Sequence, residues 1–259
     1  MIVRLREAQS RLAGWSAYLA TLSIPVLIIA AIGHRLRLLE AVPTYGVLAV
    51  GFSLAALAVI AAVAAFAAIW RDGRKGTGPA VRGLIVGLAV LSMPAIGAWK
   101  IVTYPRLIDI STDLVDPPPL AGAVLDRSQS DSPIVNPGAE EIALQKEAYP
   151  DIVPRHYPVS TARVYQEAKT IVDGRGWQLL SAREPSEADE TGVIEAVAVT
   201  TVFAFRQDVA IRIVPDGDGS LVDMRSAARN AAHDLGSDAE RVRRFFADLD
   251  KALQGISGV

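Results

Sequence analysis

Cysteine is absent from this 259-residue sequence, which excludes disulfides, thiolate metal sites, a cysteine nucleophile and a lipidated cysteine. Histidine is scarce: His34, His156 and His233 are all that imidazole chemistry has to draw on. With no carboxylates clustered beside them they make no metal site, and no metal or other cofactor is expected. HExxH, GxSxG, a Walker loop and a dinucleotide glycine fingerprint are missing as well. So is any global bias of charge: 26 Lys and Arg against 28 Asp and Glu leave a net charge of −2, which offers nothing to nucleic acid. "DGDGS" looks like the start of a calcium loop, but Asp216 and Asp218 are not followed by the required glutamate, so it reads as a hairpin turn.

Charge is also missing locally, and there its absence is informative. The mean hydropathy of +0.30 is high, and it is concentrated in three blocks, from about Trp15 to Ile32, Tyr45 to Trp70 and Val81 to Val102. None has an acidic or basic residue in its interior, and each is long enough to cross roughly 30 Å of hydrocarbon as a helix. Three spans in residues 1–104 make a membrane anchor, with the lipid bilayer as its first partner. A transporter or pump places ionisable groups inside its spans, and these have none. Gly83 and Gly87 form a GxxxG pair, and Gly51 with Ala55 a similar small pair, which suits close helix packing. Pro25 and Pro94 are tolerated within spans.

Cations set the expected orientation. Arg4, Arg6 and Arg11 precede the first span, and Arg71, Arg74, Lys75 and Arg82 follow the second. Only Arg35 and Arg37, or Lys100 and Arg106, mark the other side. The amino end is therefore placed in the cytoplasm and everything after about Tyr104 outside, which in a bacterium with two membranes means an inner-membrane protein with a periplasmic domain.

Residues 105–158 carry many prolines and no sustained period, apart from a short helix over Ala139 to Ala148. This is a tether or an extended arm, and Leu107, Ile110, Leu114, Leu120 and Val124 favour an arm at least partly docked on a neighbouring surface. Residues 159–259 read as a soluble domain. A helix capped by Ser160 or Thr161 ends at Gly174. Four strands follow, at Trp177 to Ala182, Val193 to Phe205, Asp208 to Val214 and Leu221 to Ser226. Pairing Val214 with Leu221 across "PDGDGS" sets Arg212 opposite Asp223 and Ile211 opposite Met224, one wet face and one apolar. A last helix starts at a Ser237–Glu240 capping box and aligns Val242, Phe245, Phe246, Leu249 and Leu253 on one stripe. The expected fold is a three-helix transmembrane region plus a small α+β domain, a four-stranded antiparallel sheet flanked by helices.

"YPDIVP", "GWQLL", "GVIEAVAVTTVFAFRQDVAIRIVP", "VDMRSAAR" and "DLGSDAERVRRFF", taken in order, resemble the bacterial family catalogued as domain of unknown function 1499, over roughly Asp109 to Leu253. "DISTDLVDPPPL" is similar to the arm of its membrane-anchored members. The resemblance implies an architecture and no reaction.

No catalytic residue is assigned. Glu195, Arg212, Asp223, Arg225 and Arg229 are expected to gather near one side of the sheet. They make either a cross-strand ion-pair network or a site where Arg225 and Arg229 hold an anionic or polar ligand. His233 and Asp234, just before a helix start, read as turn chemistry, and His156 as part of the exposed arm. The leading expectation is an envelope protein, not an enzyme, whose outer domain binds a protein, an envelope polymer or a lipid headgroup. The rivals are an envelope hydrolase or transferase with a carboxylate and arginine site, and an accessory subunit packing through Gly83 and Gly87.

Overall fold

A computed structural model describes residues 9–129, 131–186, 189–230 and 233–254; Arg4 and Arg6, used above for orientation, lie outside them. By contacts the chain divides into two compact units, residues 1–99 with 202–204, and residues 100–201 with 205–259.

The first unit is built on three helices, α1 (Arg11–Arg35), α2 (Ala41–Asp72) and α3 (Thr77–Thr103). Each is long and apolar enough to cross a membrane. Their packing is the reverse of a water-soluble bundle. Small residues such as Ala20, Ala55, Ala58 and Ala62 are buried, while Ile29 and Ile60 are 62% and 63% exposed. Lipid is as apolar as leucine, so helices gain by close backbone approach at small residues, not by hiding large ones. A β-carbon on Gly83 would lie 1.9 Å from Ser16 Oγ, and one on Gly87 would lie 3.1 Å from the Ala55 carbonyl oxygen. The two glycines thus seat α3 on α1 and on α2 within the chain. The Ser16 hydroxyl donates to the Ala58 carbonyl at 2.8 Å, joining α1 to α2.

The second unit continues with β1 (Asp109–Ser111), α4 (Ala121–Asp126), α5 (Ala139–Ala148) and β2 (Arg155–Tyr157), all within the proline-rich segment. Then come α6 (Thr161–Gly174), β3 (Gln178–Arg183), β4 (Gly192–Val199), β5 (Arg206–Asp216), β6 (Gly219–Ala228) and α7 (Ser237–Gln254). The antiparallel sheet has six strands, not the expected four, in the order β1-β6-β5-β4-β3 with β2 also on β6. Both additional strands come from the arm, and they lie end to end along the outer edge of β6. Asp109 sits opposite Ala227, and Arg155 opposite Val222. Between them Gln145 of α5 exchanges hydrogen bonds with the Ser111 backbone, donating to its carbonyl at 2.6 Å and accepting from its N–H at 3.3 Å. An edge that would otherwise offer unpaired backbone groups is covered this way.

The β5–β6 register places Arg212 opposite Asp223 and Ile211 opposite Met224. One face, with Ile194, Ile211, Ile213, Val222 and Met224, packs under α6 and α7. The opposite face has a smaller apolar core in which Leu120 and Ala123 of the arm meet Ala210 and Ala227. Of the arm residues expected to dock, Leu107, Ile110 and Leu120 are buried, Leu114 is half-buried, and Val124 points out with Ala123 taking the inner position. Strand β4 ends at Val199 rather than running on to Phe205, because the Thr200 N–H donates to the Phe205 carbonyl and the Thr200 hydroxyl accepts from the Phe205 N–H. The Ser160 side chain makes no capping bond to α6. The capping box on α7 is also replaced. Ser237 Oγ accepts from Gln207 Nε2, Glu240 pairs with Arg244, and Asp234 accepts from the N–H groups of Gly236 and Asp238.

Candidate functional site

Alternation along the strands brings Glu195, Arg212, Asp223 and Arg225 to one face of the sheet. Glu195 is opposite Ala210, Ala210 opposite Arg225, and Arg212 opposite Asp223. Arg229 follows β6 at the same end as Asp208. All five expected residues are therefore brought together, but beneath the arm, and each has a partner.

Three knots of charge result. Arg212 binds Asp223 at 3.1 Å, Asp113 at 3.0 Å and Asp116 at 2.7 Å, while Asp223 also accepts from the Thr112 hydroxyl at 3.1 Å. Arg225 makes a two-pronged contact with Asp109, Nε to Oδ1 at 3.0 Å and Nη2 to Oδ2 at 2.6 Å. Arg229 binds Asp208 at 2.5 Å and Asp126 at 2.8 Å. Asp208 in turn holds Arg127 at 2.7 Å, and Asp126 holds Arg206 at 2.6 Å. Asp109, Asp113, Asp116 and Asp126 all belong to the arm, so the segment that looked like a tether supplies the counter-charges for the sheet. No feature of the sequence pairs an aspartate with an arginine about a hundred positions away, which is why these partners were missed.

The electrostatics follow the same division. Burial pushes the Asp126 carboxyl up, but Arg229 and Arg206 outweigh it and hold it below the usual range. Burial pushes Glu195 up, and the Gly122 and Ala123 N–H groups, the first at 2.8 Å, only partly offset this. Arg225 is 2% exposed and Arg229 is fully buried. A ligand at either guanidinium would first have to displace an aspartate from a site with little water.

Each histidine has a backbone partner. His233 Nδ1 accepts from the Leu235 N–H at 2.9 Å and its Nε2 lies 3.1 Å from the Tyr104 carbonyl, which fixes the turn before α7. His156 lies on β2 with Nε2 3.2 Å from the Asp216 carbonyl. Among the described residues no cluster of His, Asp and Glu has the makings of a metal site.

Sequence reasoning did not single out a groove of about 900 Å3 running along α7, the connection between α6 and β3, and the end of β4. Lys100, Arg175, Arg241, Arg243, Arg244 and Lys251 line it, with the carboxylates Glu240 and Asp248 and the rings of Tyr104 and Trp177. Arg175 stacks on Trp177 at 5.1 Å and reaches Asp248 at 2.6 Å. Its signal in the sequence was "RVRR", which an amphipathic helix accounts for equally well as its wet face. A second cavity of about 800 Å3 lies between the arm and the sheet edge, beside Asp109, Arg127 and Leu144.

Three membrane-length apolar helices followed by an antiparallel sheet domain locked under its own arm define the class: a membrane-associated protein with one α+β module. The family model described as "Protein of unknown function (DUF1499)" matches residues 109–249, from the first arm strand into the last helix, and the chain belongs to that family. A search of curated proteins finds no match.

Proposed function

We propose that this is a bacterial envelope protein, anchored in the inner membrane with its α+β module outside, that binds an anionic partner without catalysis. The observation that carries the reading is the division of labour among its arginines. Those on the sheet face, Arg212, Arg225 and Arg229, are taken up by arm aspartates and serve as a latch. Arg175, Arg243 and Arg244, in the open groove along α7, sit in partly exposed ion pairs that water weakens. Arg244 pairs with Glu240 with side chains 71% and 50% exposed, and such pairs hold by about 0–1 kcal/mol. A groove of this kind can exchange its carboxylates for an incoming anion, whereas the sheet face cannot.

The absence of cysteine makes the test clean. A photo-crosslinker attached through Ala247→Cys, on the groove, is expected to give a discrete adduct in native membranes that disappears when Arg244 and Lys251 are both changed to Glu. Adducts no different from those of a probe at Val115→Cys, on the exposed arm, overturn the reading. Turnover of a defined substrate by the purified full-length chain, abolished by Asp223→Asn while the protein stays folded, favours a hydrolase or transferase instead.

A further inference from the structure

We propose that the occupant of the groove along α7 is the phosphate-bearing headgroup of an anionic phospholipid from the bilayer that α3 enters; this rests on the binding reading above and deepens it. Position is the first support. Lys100 lies in the last turn of α3 and Tyr104 directly follows that helix, and both line the groove. By chain connectivity this edge of the groove lies within one residue of the end of α3, where a membrane-crossing helix leaves the hydrocarbon, and lipid there is present at a concentration no soluble anion matches.

Charge is the second support. Six cationic side chains line the groove against Glu240 and Asp248. Arg243 and Arg241 also have partners just outside it, Asp151 at 2.6 Å and Asp238 at 2.6 Å. Counting these two, the cations still exceed the carboxylates by two, which favours a net anionic headgroup over a zwitterionic one. The pairs Arg175–Asp248 and Arg244–Glu240 lie at the surface and are free to rearrange around a phosphate.

The lining chemistry is the third support. A soluble phosphate needs donors alone. This groove adds the indole of Trp177, the ring of Tyr104 and the side chain of Val199, which is half exposed. Donors beside an amphipathic aromatic surface match the headgroup and glycerol region of a lipid, where such rings prefer to sit.

The test uses the full-length chain in nanodiscs, with a nitroxide on Ala247→Cys. Discs of phosphatidylcholine alone are compared with discs in which part of it is replaced by phosphatidylglycerol, and with phosphatidylcholine discs given inorganic phosphate. An immobilised component is expected only with phosphatidylglycerol. Arg244→Glu with Lys251→Glu should abolish it, and Arg244→Lys with Lys251→Arg should retain it, all with an unchanged unfolding midpoint. In unlabelled protein, amide exchange across residues 240–251 should slow in the same discs, which keeps the test decisive if a label or charge reversal disturbs folding. Equal behaviour in both lipids overturns the inference, as does immobilisation by inorganic phosphate alone, which would make this a soluble-anion site. A discrete protein adduct at Ala247, with no response to lipid charge, leaves the binding reading standing and removes the lipid.

Discussion

Asp208 is fully buried and holds two guanidinium groups, Arg229 at 2.5 Å and Arg127 at 2.7 Å. Removing one member of such a knot strands charge in a site without water, so Asp208→Leu is expected to cost about 3–5 kcal/mol. Asp208→Leu with Arg229→Met removes charge of both signs and should cost clearly less than the two single changes added together. Chemical unfolding of the detergent-solubilised chain, followed by tryptophan fluorescence, measures both. Asp238 gives a pH signature. It is buried beside Ser226 at 2.7 Å and Arg241 at 2.6 Å, its Oδ2 has no partner, and burial pushes its carboxyl up to about 7. Since an unfolded aspartate titrates near 4, the folded state binds the extra proton between about pH 4 and 7. The stability linked to this group is therefore fully present below about pH 4 and is lost as pH rises through 7. Wild type measured against Asp238→Asn should lose ground across that window, by up to about 1.4 kcal/mol per pH unit, and the difference should level off above it. A flat difference from pH 5 to 8 contradicts the assignment.

Within the anchor, the helices meet through glycine. Gly83→Ala would put its β-carbon 2.7 Å from the Ser16 carbonyl carbon and 2.9 Å from the Ala17 nitrogen. These are backbone atoms that cannot swing aside, so α3 must move off α1, at a cost of about 1–3 kcal/mol. Gly97, on the same helix, has nothing within 4 Å of its would-be β-carbon, and Gly97→Ala should be neutral or slightly stabilising. Unfolding in graded mixtures of mild detergent and dodecyl sulfate separates the two. Elements of this kind were legible because their causes are local. An uncharged run makes a span, Ala139–Ala148 is rich in helix-forming Ala, Glu, Leu, Gln and Lys, and the Asp216–Gly219 turn fixes the register that sets Arg212 against Asp223. β1 and β2 were not legible. "DIS" and "RHY" are too short to alternate, and they are strands only because β6, more than sixty residues later, offers them an edge. The α7 start was misread for a related reason: the Ser237 hydroxyl is claimed by Gln207 of β5, a partner that no local motif contains. The five charged residues could be placed on one face by parity, but their burial depended on where the arm lies.

The molecule as a whole keeps its charges apart by function. Acid on the arm meets base on the sheet and closes the domain, base along α7 lines an open groove, and the three long apolar helices are uncharged through their interiors. The proposed orientation draws on the cations that flank those helices. Arg11 lies at the start of α1, and Arg71, Arg74, Lys75 and Arg82 surround the α2–α3 connection, against Arg35 and Arg37 on the other side. With an odd number of crossings, the α2–α3 connection and the sheet domain then face opposite compartments. A cysteine-free chain lets this be read directly with a maleimide that does not cross membranes. Val115, 95% exposed on the arm, and Gly78, exposed with nothing within 4 Å of its would-be β-carbon, accept cysteine without disturbing packing. In intact spheroplasts Val115→Cys should be modified at once, and Gly78→Cys only after the membrane is broken. The opposite pattern would put the sheet domain in the cytoplasm, and modification of both sites in sealed cells would mean that α3 does not cross at all.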